Sequence, residues 1–161
     1  MKIKPKYLYH GSGRRLRGDK LIPKKAKELD KKNKHNDFKG IYASDVKNEA
    51  IAMGILKSRG VKDSSCGFYT KHGIKVEAVI YWGWPEQKCF YLYTLPAETF
   101  ENKPRGSHQW ISFKSIKPIR IEKLIVKDYI YLIRKATKLE KKNWIKEYGK
   151  GGEKDDKNKK R

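Results

Sequence analysis

Tyr7-Leu8-Tyr9-His10-Gly11-Ser12 is the stretch of sequence on which the fold depends. Its bulky residues alternate as in a β-strand, and glycines at positions 11 and 13 break the strand directly after the histidine. A strand that ends in this way presents His10 and Ser12 at a sheet edge where backbone groups are accessible. We therefore predict a ligand site at the end of this first strand.

The composition of the chain predicts a folded, basic protein of one domain. It has 161 residues, of which 37% are hydrophobic and 12% aromatic, enough to build a small dense core. Forty Lys and Arg residues against 18 Asp and Glu give a net charge of +22. Such a charge favours polyanions, including nucleic acid, anionic membranes and phosphorylated ligands. A lysine-rich proteome or a thermophilic source would also explain it.

Cysteine usage and hydropathy predict an intracellular protein. Cys66 and Cys89 form no C-x-x-C pair, which argues against a disulfide scaffold and against a zinc site. The N-terminus has no apolar signal-peptide core, and the longest apolar run, 51–56, is too short to span a bilayer. We expect a cytoplasmic monomer with no metal and no membrane contact.

Further along the chain, apolar spacing predicts an α+β fold of short, largely antiparallel strands. Gly40–Ser44 is predicted as the second strand, and Ser44 or Asp45 as the N-cap of a helix that runs to about Lys57. A turn is predicted over 60–65. The remaining predicted strands are 67–71, 74–82, 88–95, 108–113 and 116–126.

The C-terminal part of the chain predicts a single amphipathic helix. Apolar residues from Tyr129 to Tyr148 recur at helical spacing, so we predict one helix over 128–148, packed on a domain that comprises residues 1–127. The basic tail, 149–161, contains no apolar residue and is predicted to be disordered. The polar segment 24–38 is predicted to be a mobile loop near the ligand site.

Three pieces of the sequence, in order, resemble the ADP-ribosyltransferase superfamily. The resemblance is to the diphtheria-toxin-like branch, which includes poly(ADP-ribose) polymerases and the small rifampicin ADP-ribosyltransferases. The first piece is Tyr9-His10-Gly11-Ser12 followed by Leu16-Arg17-Gly18-Asp19-Lys20-Leu21-Ile22, and the second is Gly40-Ile41-Tyr42-Ala43-Ser44-Asp45. The third is Gln109-Trp110-Ile111-Ser112-Phe113, which leads into the last predicted strand. Together they cover roughly residues 7 to 126.

The resemblance implies that NAD+ is bound as substrate in a cleft between two small sheets. By this resemblance His10 would bind the adenine-side ribose, the Gly11 backbone would bind the nicotinamide carboxamide, and Ser12 would contact the nicotinamide ribose or amide. Tyr42 would stack on the nicotinamide ring. Taken singly, His10 is better explained as a strand-end histidine with satisfied hydrogen bonds and Tyr42 as a core aromatic residue, and only the combination of the three pieces favours the NAD+ site.

Two positions depart from the family pattern. The second aromatic wall of the nicotinamide site falls near Met53, and the position of the catalytic acid aligns with Gln109. Nicotinamide cleavage develops positive charge on the ribose, and an amide supplies no negative charge to offset it. The rate would fall roughly a hundredfold or more. A shifted alignment would use Glu98, Glu101 or Glu122 instead.

The functional hypothesis is a mono-ADP-ribosyltransferase with His10, Tyr42 and Gln109 as its triad, or an NAD+-binding relative. Its acceptor would be a macromolecule, either nucleic acid or a protein bound to nucleic acid, and a role as toxin or defence effector is compatible with this. The alternative is an inactive transferase fold that binds nucleic acid through its basic C-terminal helix and tail. An RNA 2'-phosphotransferase-like activity, with Arg14, Arg15 and Arg17 on the phosphate, ranks below both.

Overall fold

The computed structural model describes residues 2–25, 38–69 and 75–149. The helices are α1 (Lys47–Leu56) and α2 (Lys138–Tyr148), and a 3₁₀ segment covers Val126–Leu132. The strands within these described ranges are β1 (Tyr7–Ser12), β2 (Lys24–Lys25), β3 (Lys39–Ser44), β4 (Val61–Tyr69), β5 (Lys75–Gly83), β6 (Cys89–Pro96), β7 (Glu101–Asn102), β8 (Gln109–Ser112), β9 (Arg120–Ile125) and β10 (Ile133–Lys135).

The strands form two sheets, and the protein is a small α+β fold as predicted. Six strands of the larger sheet follow the order β7-β8-β3-β1-β6-β9, and β2 pairs with β3 beside them. The smaller sheet has the order β10-β5-β4. All strand pairs are antiparallel except β10 with β5. β1 therefore lies in the interior of the larger sheet.

The larger sheet is covered on both faces, because successive side chains of a strand point to opposite sides. On one side, which we call the α1 face, Tyr9, Phe90 and Leu92 pack with α1 and with the smaller sheet. On the other, which we call the loop face, Leu8, Tyr93 and several neighbours pack beneath connecting segments. The covering residues are Leu16, Leu21, Ala97, Phe100 and Ile116. Each face thus has its own apolar core.

Several predicted elements are confirmed and some are wrong. The strands at the start of the chain and before α1 are confirmed, as is α1 itself, but its N-cap is Val46 and not Ser44 or Asp45. The turn predicted over 60–65 is wrong, because β4 begins at Val61 and pairs with β5 almost throughout. The last predicted strand is shorter than expected and begins at Arg120. Of the loop predicted over 24–38, Lys24–Lys25 instead form β2, and residues 26–37 lie outside the described residues.

The single C-terminal helix predicted over 128–148 is wrong. Residues Val126–Leu132 form the 3₁₀ segment, Ile133–Lys135 pair with the open edge of β5, and α2 begins only at Lys138. Ile133 is buried in this strand, so its apolar side chain packs in the core as part of a sheet and not on one face of a helix. The predicted disordered tail lies outside the described residues after Gly149. No helix among the described residues is long and apolar enough to cross a membrane.

Candidate functional site

The larger sheet separates between β1 and β3. Whereas β1 pairs with β6 along all six of its residues, it pairs with β3 at Tyr9 and Ser44. Continued pairing would place Gly11 opposite Tyr42, but these two residues are not partners. We call this opening, between the ends of two adjacent strands, the β1–β3 gap.

Two side chains bind the carbonyl groups that face this gap. The His10 imidazole donates from Nδ1 to the Tyr42 carbonyl oxygen at 2.6 Å, and the Lys57 ammonium donates to the Gly11 carbonyl oxygen at 3.2 Å. If β1 and β3 paired further, each of these two carbonyl groups would accept a backbone hydrogen bond from the other strand. The gap therefore persists without leaving these acceptors unsatisfied.

The tautomer of His10 follows from this geometry. A carbonyl oxygen only accepts, so the bond to Tyr42 requires the proton to be on Nδ1. Burial, and then the positive charges of Lys57 and Lys24, lower the pKa of His10 to about 3, although the hydrogen bond to Tyr42 acts in the opposite direction. The ring is neutral at pH 7, and its Nε2 has no hydrogen-bond partner among the described residues. Nε2 therefore presents an oriented acceptor.

Two lysine side chains place positive charge near His10. Burial lowers the pKa of Lys57 to about 8, so its ammonium is still largely protonated at pH 7. Lys57 also keeps an exposed surface, so a ligand can reach it from solvent. Lys24 of β2 adds a second positive charge near His10. The combination fits a ligand that has both a hydroxyl donor and an anionic group.

Gly11 is required for packing of β1 against α1. A methyl group at this position would overlap the Ala50 carbonyl oxygen and lie 2.6 Å from the Gly54 amide nitrogen. Gly54 is similarly confined, since a methyl group there would lie 2.8 Å from the Phe90 ring. The α1 backbone therefore rests directly on the strand next to His10. Met53, predicted as a nicotinamide wall, is half-buried and packs against the core on the α1 face.

Tyr42 and Ser12 lie on either side of the gap. The Tyr42 hydroxyl donates to the Phe38 carbonyl oxygen at 2.7 Å and accepts from the Phe38 amide at 3.1 Å, which fixes the half-buried ring. The Ser12 hydroxyl accepts from the Arg14 amide at 3.2 Å at the end of β1. Both side chains border the gap from their own strands.

The three predicted catalytic side chains do not converge on one face of the sheet. Strand alternation places Tyr42 and Gln109 on the α1 face, because Gln109 pairs with Ser44, whereas His10 points to the loop face beside Tyr93. A ligand contacts both faces only by entering the β1–β3 gap. Gln109 also has its own partner, since its amide nitrogen donates to the Lys103 carbonyl oxygen at 2.9 Å.

A carboxylate that the sequence analysis missed lies on the same face as Gln109. Glu49, in the first turn of α1, accepts a short hydrogen bond from the Ser44 hydroxyl. Burial raises the pKa of Glu49, while the hydrogen bond from Ser44 acts against this. Its position a few residues after the predicted N-cap could have identified it from the sequence. For Lys57 no signal existed, since only the packing of α1 brings it to β1.

A second polar cluster, around Asp45, has a structural explanation. Its carboxylate lies 2.7 Å from the Lys2 ammonium. It also accepts hydrogen bonds from His108 Nδ1 at 2.6 Å and from the Trp110 indole nitrogen at 3.0 Å. Burial raises the pKa of Asp45, but these donors outweigh it, and the net pKa is lowered. The cluster joins the N-terminal segment to the ends of β3 and β8. No group of three or more His, Cys, Asp or Glu residues within the described ranges could hold a metal ion.

No protein-family model, curated protein or solved structure matches the chain. The site therefore has to be interpreted from its own geometry.

Proposed function

We propose that the chain binds NAD+ in the β1–β3 gap and transfers its ADP-ribose group to a macromolecular acceptor. The observation that supports this most strongly is the neutral His10 ring, held by the Tyr42 carbonyl with Nε2 unpartnered among the described residues and Lys57 beside it. A nucleotide offers the matching groups, a ribose hydroxyl as donor and phosphates as anions.

Each part of NAD+ has a counterpart at the gap. A ribose hydroxyl donates to His10 Nε2, and the pyrophosphate lies near the ammonium groups of Lys57 and Lys24. The nicotinamide ring lies on the α1 face against the flat ring of Tyr42, which Phe38 holds in place. In this arrangement one dinucleotide enters the gap and contacts His10 from the loop face and Tyr42 from the α1 face.

The transfer reaction breaks the C–N bond between ribose and nicotinamide. Nicotinamide leaves as a neutral molecule with the bonding electrons, an acceptor oxygen or nitrogen bonds to the ribose carbon, and the acceptor loses its proton. Positive charge develops on the ribose in between, and a nearby carboxylate stabilises it. Gln109 cannot do so, whereas Glu49, on the same face, supplies negative charge when it is ionised.

Calorimetric titration with NAD+ tests the binding site. Removing the Lys57 charge in Lys57→Ala should weaken binding by roughly 10- to 100-fold, the range for one charge-assisted hydrogen bond. His10→Ala should weaken it by roughly 2- to 10-fold, as for a neutral bond. The matched control is Lys47→Ala, an exposed lysine at the other end of α1. Unchanged affinity in both gap variants would show that NAD+ does not bind in the gap.

The pH dependence and product release separate binding from catalysis. NAD+ affinity of the wild type should decrease as the pH rises above 8, because Lys57 then loses its charge, and Lys57→Arg should not show this decrease. Gln109→Glu adds a second carboxylate on the face that carries Glu49 and should accelerate nicotinamide release roughly a hundredfold. Binding without release in either protein would leave a nucleotide-binding protein and contradict the transferase assignment.

A further inference from the structure

A basic groove lies next to the β1–β3 gap and is separate from it. The groove has a volume of about 480 Å³ and forms where the end of β1, the turn after α1 and parts of β6 and β9 meet. Its cations are Arg14, Arg59, Lys88 and Lys123, and no carboxylate of a described residue lines it. The groove therefore has the charge of an anion site.

A single side chain holds the floor of the groove together. The Gln87 amide nitrogen donates to the carbonyl oxygens of Gly13 at 2.6 Å and Cys89 at 2.8 Å, and its oxygen accepts from the Arg59 amide at 2.8 Å. These bonds join β1, the turn after α1 and β6. The backbones that carry the cations are thus fixed relative to one another before any ligand binds, which reduces the entropy lost on binding.

The cations of the groove are largely uncompensated. Arg59 has a partner, Glu86, at 3.6 Å, but the two side chains are 79% and 53% exposed, and such a pair contributes little. Arg14, Lys88 and Lys123 have no salt bridge to any residue in the described ranges. An anion entering the groove therefore meets charges that are available for binding.

An aromatic residue lies among these cations. Tyr91 of β6 is half-buried and pairs with Ser12 of β1 on one side and Lys123 of β9 on the other. Cross-strand partners point to the same side of a sheet, so Tyr91 and Lys123 face the groove together. The adjacent residue on the same face of β6 is Tyr93, which pairs with His10. The groove thus continues the face of the sheet that carries His10.

We propose that this groove binds single-stranded nucleic acid. Its cations contact successive phosphates, and an unpaired base stacks on Tyr91. A paired base in a duplex would not have its face free for this stacking. The open shape suits a polymer that runs through it rather than a small ligand that needs enclosure. The proposal does not depend on NAD+ binding, and its test contains no NAD+.

The protein has a second cationic surface, which serves as the control. Lys138, Lys141 and Lys142 of α2 line a depression of about 400 Å³ over Trp82. Trp82 is buried there, and the Lys141 ammonium already lies 5.8 Å from its ring. The aromatic residue that lines this depression, Trp82, is only 7% exposed, so the surface matches the groove in charge but offers a base little ring surface.

The experiment measures the binding of a fluorescent dT12 oligonucleotide by anisotropy at several salt concentrations. The groove variant Lys88→Ala/Lys123→Ala is compared with Lys138→Ala/Lys142→Ala, which removes the same charge. Loss of two phosphate contacts should weaken binding about 25-fold at 0.1 M salt and reduce the salt slope by about 1.4. The α2 variant should retain wild-type affinity and slope. Equal losses in the two variants, or no loss in the groove variant, would overturn the proposal.

Tyr91→Leu distinguishes nucleic acid from polyanions in general. It should weaken dT12 binding roughly tenfold, as for loss of one base stack, and leave the binding of inorganic polyphosphate unchanged. Equal binding of dT12 by Tyr91→Leu and the wild type would show that the groove recognises charge alone and contradict the assignment to nucleic acid. Circular dichroism of each variant checks that the fold is intact.

Discussion

The two helices are stabilised in opposite ways. α1 begins after Val46 without a side-chain cap, yet six of its ten residues are buried. α2 has a full capping box between Thr137 and Glu140, yet none of its residues is buried. Local chemistry is therefore sufficient to define α2, whereas α1 depends on its contacts with the sheet. The candidate site therefore rests on the helix that depends more on tertiary packing.

The difference extends to what each helix does for the rest of the molecule. α1 packs its backbone on Gly11 and supplies Lys57 to the β1–β3 gap. α2 is attached mainly through side chains, with Trp144 stacked on Tyr81 at 4.1 Å and Glu140 paired with Arg134. Changes at α1 should therefore alter the whole fold, and changes at α2 should remain local.

The largest effect is expected for Gly11→Ala. Its methyl group would meet backbone atoms of α1 that cannot rotate away, so α1 and β1 must separate. The free energy of unfolding should fall by about 3 kcal/mol, at the upper end of the usual range for overpacking. Urea denaturation measures this loss. Gly67→Ala is the control, since a methyl group there meets no atom of the described residues within 4 Å, and a similar loss in both would refute the packing argument.

The second-largest effect on stability is expected at the start of α1, where the Ser44 side chain is 5% exposed and donates a hydrogen bond to Glu49. Ser44→Ala should lower the free energy of unfolding by about 2 kcal/mol at pH 8, because a buried carboxylate loses its donor. The hydroxyl stabilises the ionised form, so its contribution is lost as the pH falls through the raised pKa of Glu49. The loss should therefore be smaller at pH 4.

Urea denaturation of a double variant isolates this pH dependence. In a Glu49→Gln background the side chain does not ionise, so Ser44→Ala should lower the free energy of unfolding equally at pH 4 and pH 8. A pH-dependent loss that persists in this background would mean that another group, such as Asp45, is responsible.

A smaller, local effect is expected for Trp144→Ala. The stack on Tyr81 should contribute about 1 kcal/mol, and its loss releases α2 without disturbing either core. Hydrogen exchange should show faster exchange of α2 amides and unchanged protection of α1. Trp144→Phe keeps an aromatic ring and should behave like the wild type. Loss of protection in α1 would contradict the separation of the two helices.

The smallest global effect is expected for Thr137→Ala, which removes the capping box. The helix itself should lose about 1 kcal/mol. Because α2 buries no residue, the midpoint of global unfolding should hardly change, while amide exchange in the first turn of α2 becomes faster. Thr137→Ser retains the capping oxygen and should be neutral. A large shift in the midpoint would show that α2 contributes to the core.

Part of the fold could be predicted from the sequence. The alternation in β1, the strand before α1 and the apolar spacing of α1 are local signals, and the structure confirms them. The assignment of 128–148 to one helix failed, because residues 133–135 find backbone partners on the edge of β5, more than fifty residues earlier in the chain. The apolar spacing within 128–148 gives no information about a free strand edge elsewhere in the chain.

The sequence by itself determined that His10 and Gly11 end a strand and that Tyr42 lies on another, because strand alternation and glycine breaks act between neighbouring residues. Only the tertiary structure decided that β1 and β3 separate there, and that Lys57 and Glu49 lie beside them. At the same place Gly11 meets the backbone of α1, some forty positions away in the chain. Contacts of that range depend on how whole elements pack, which no local pattern encodes.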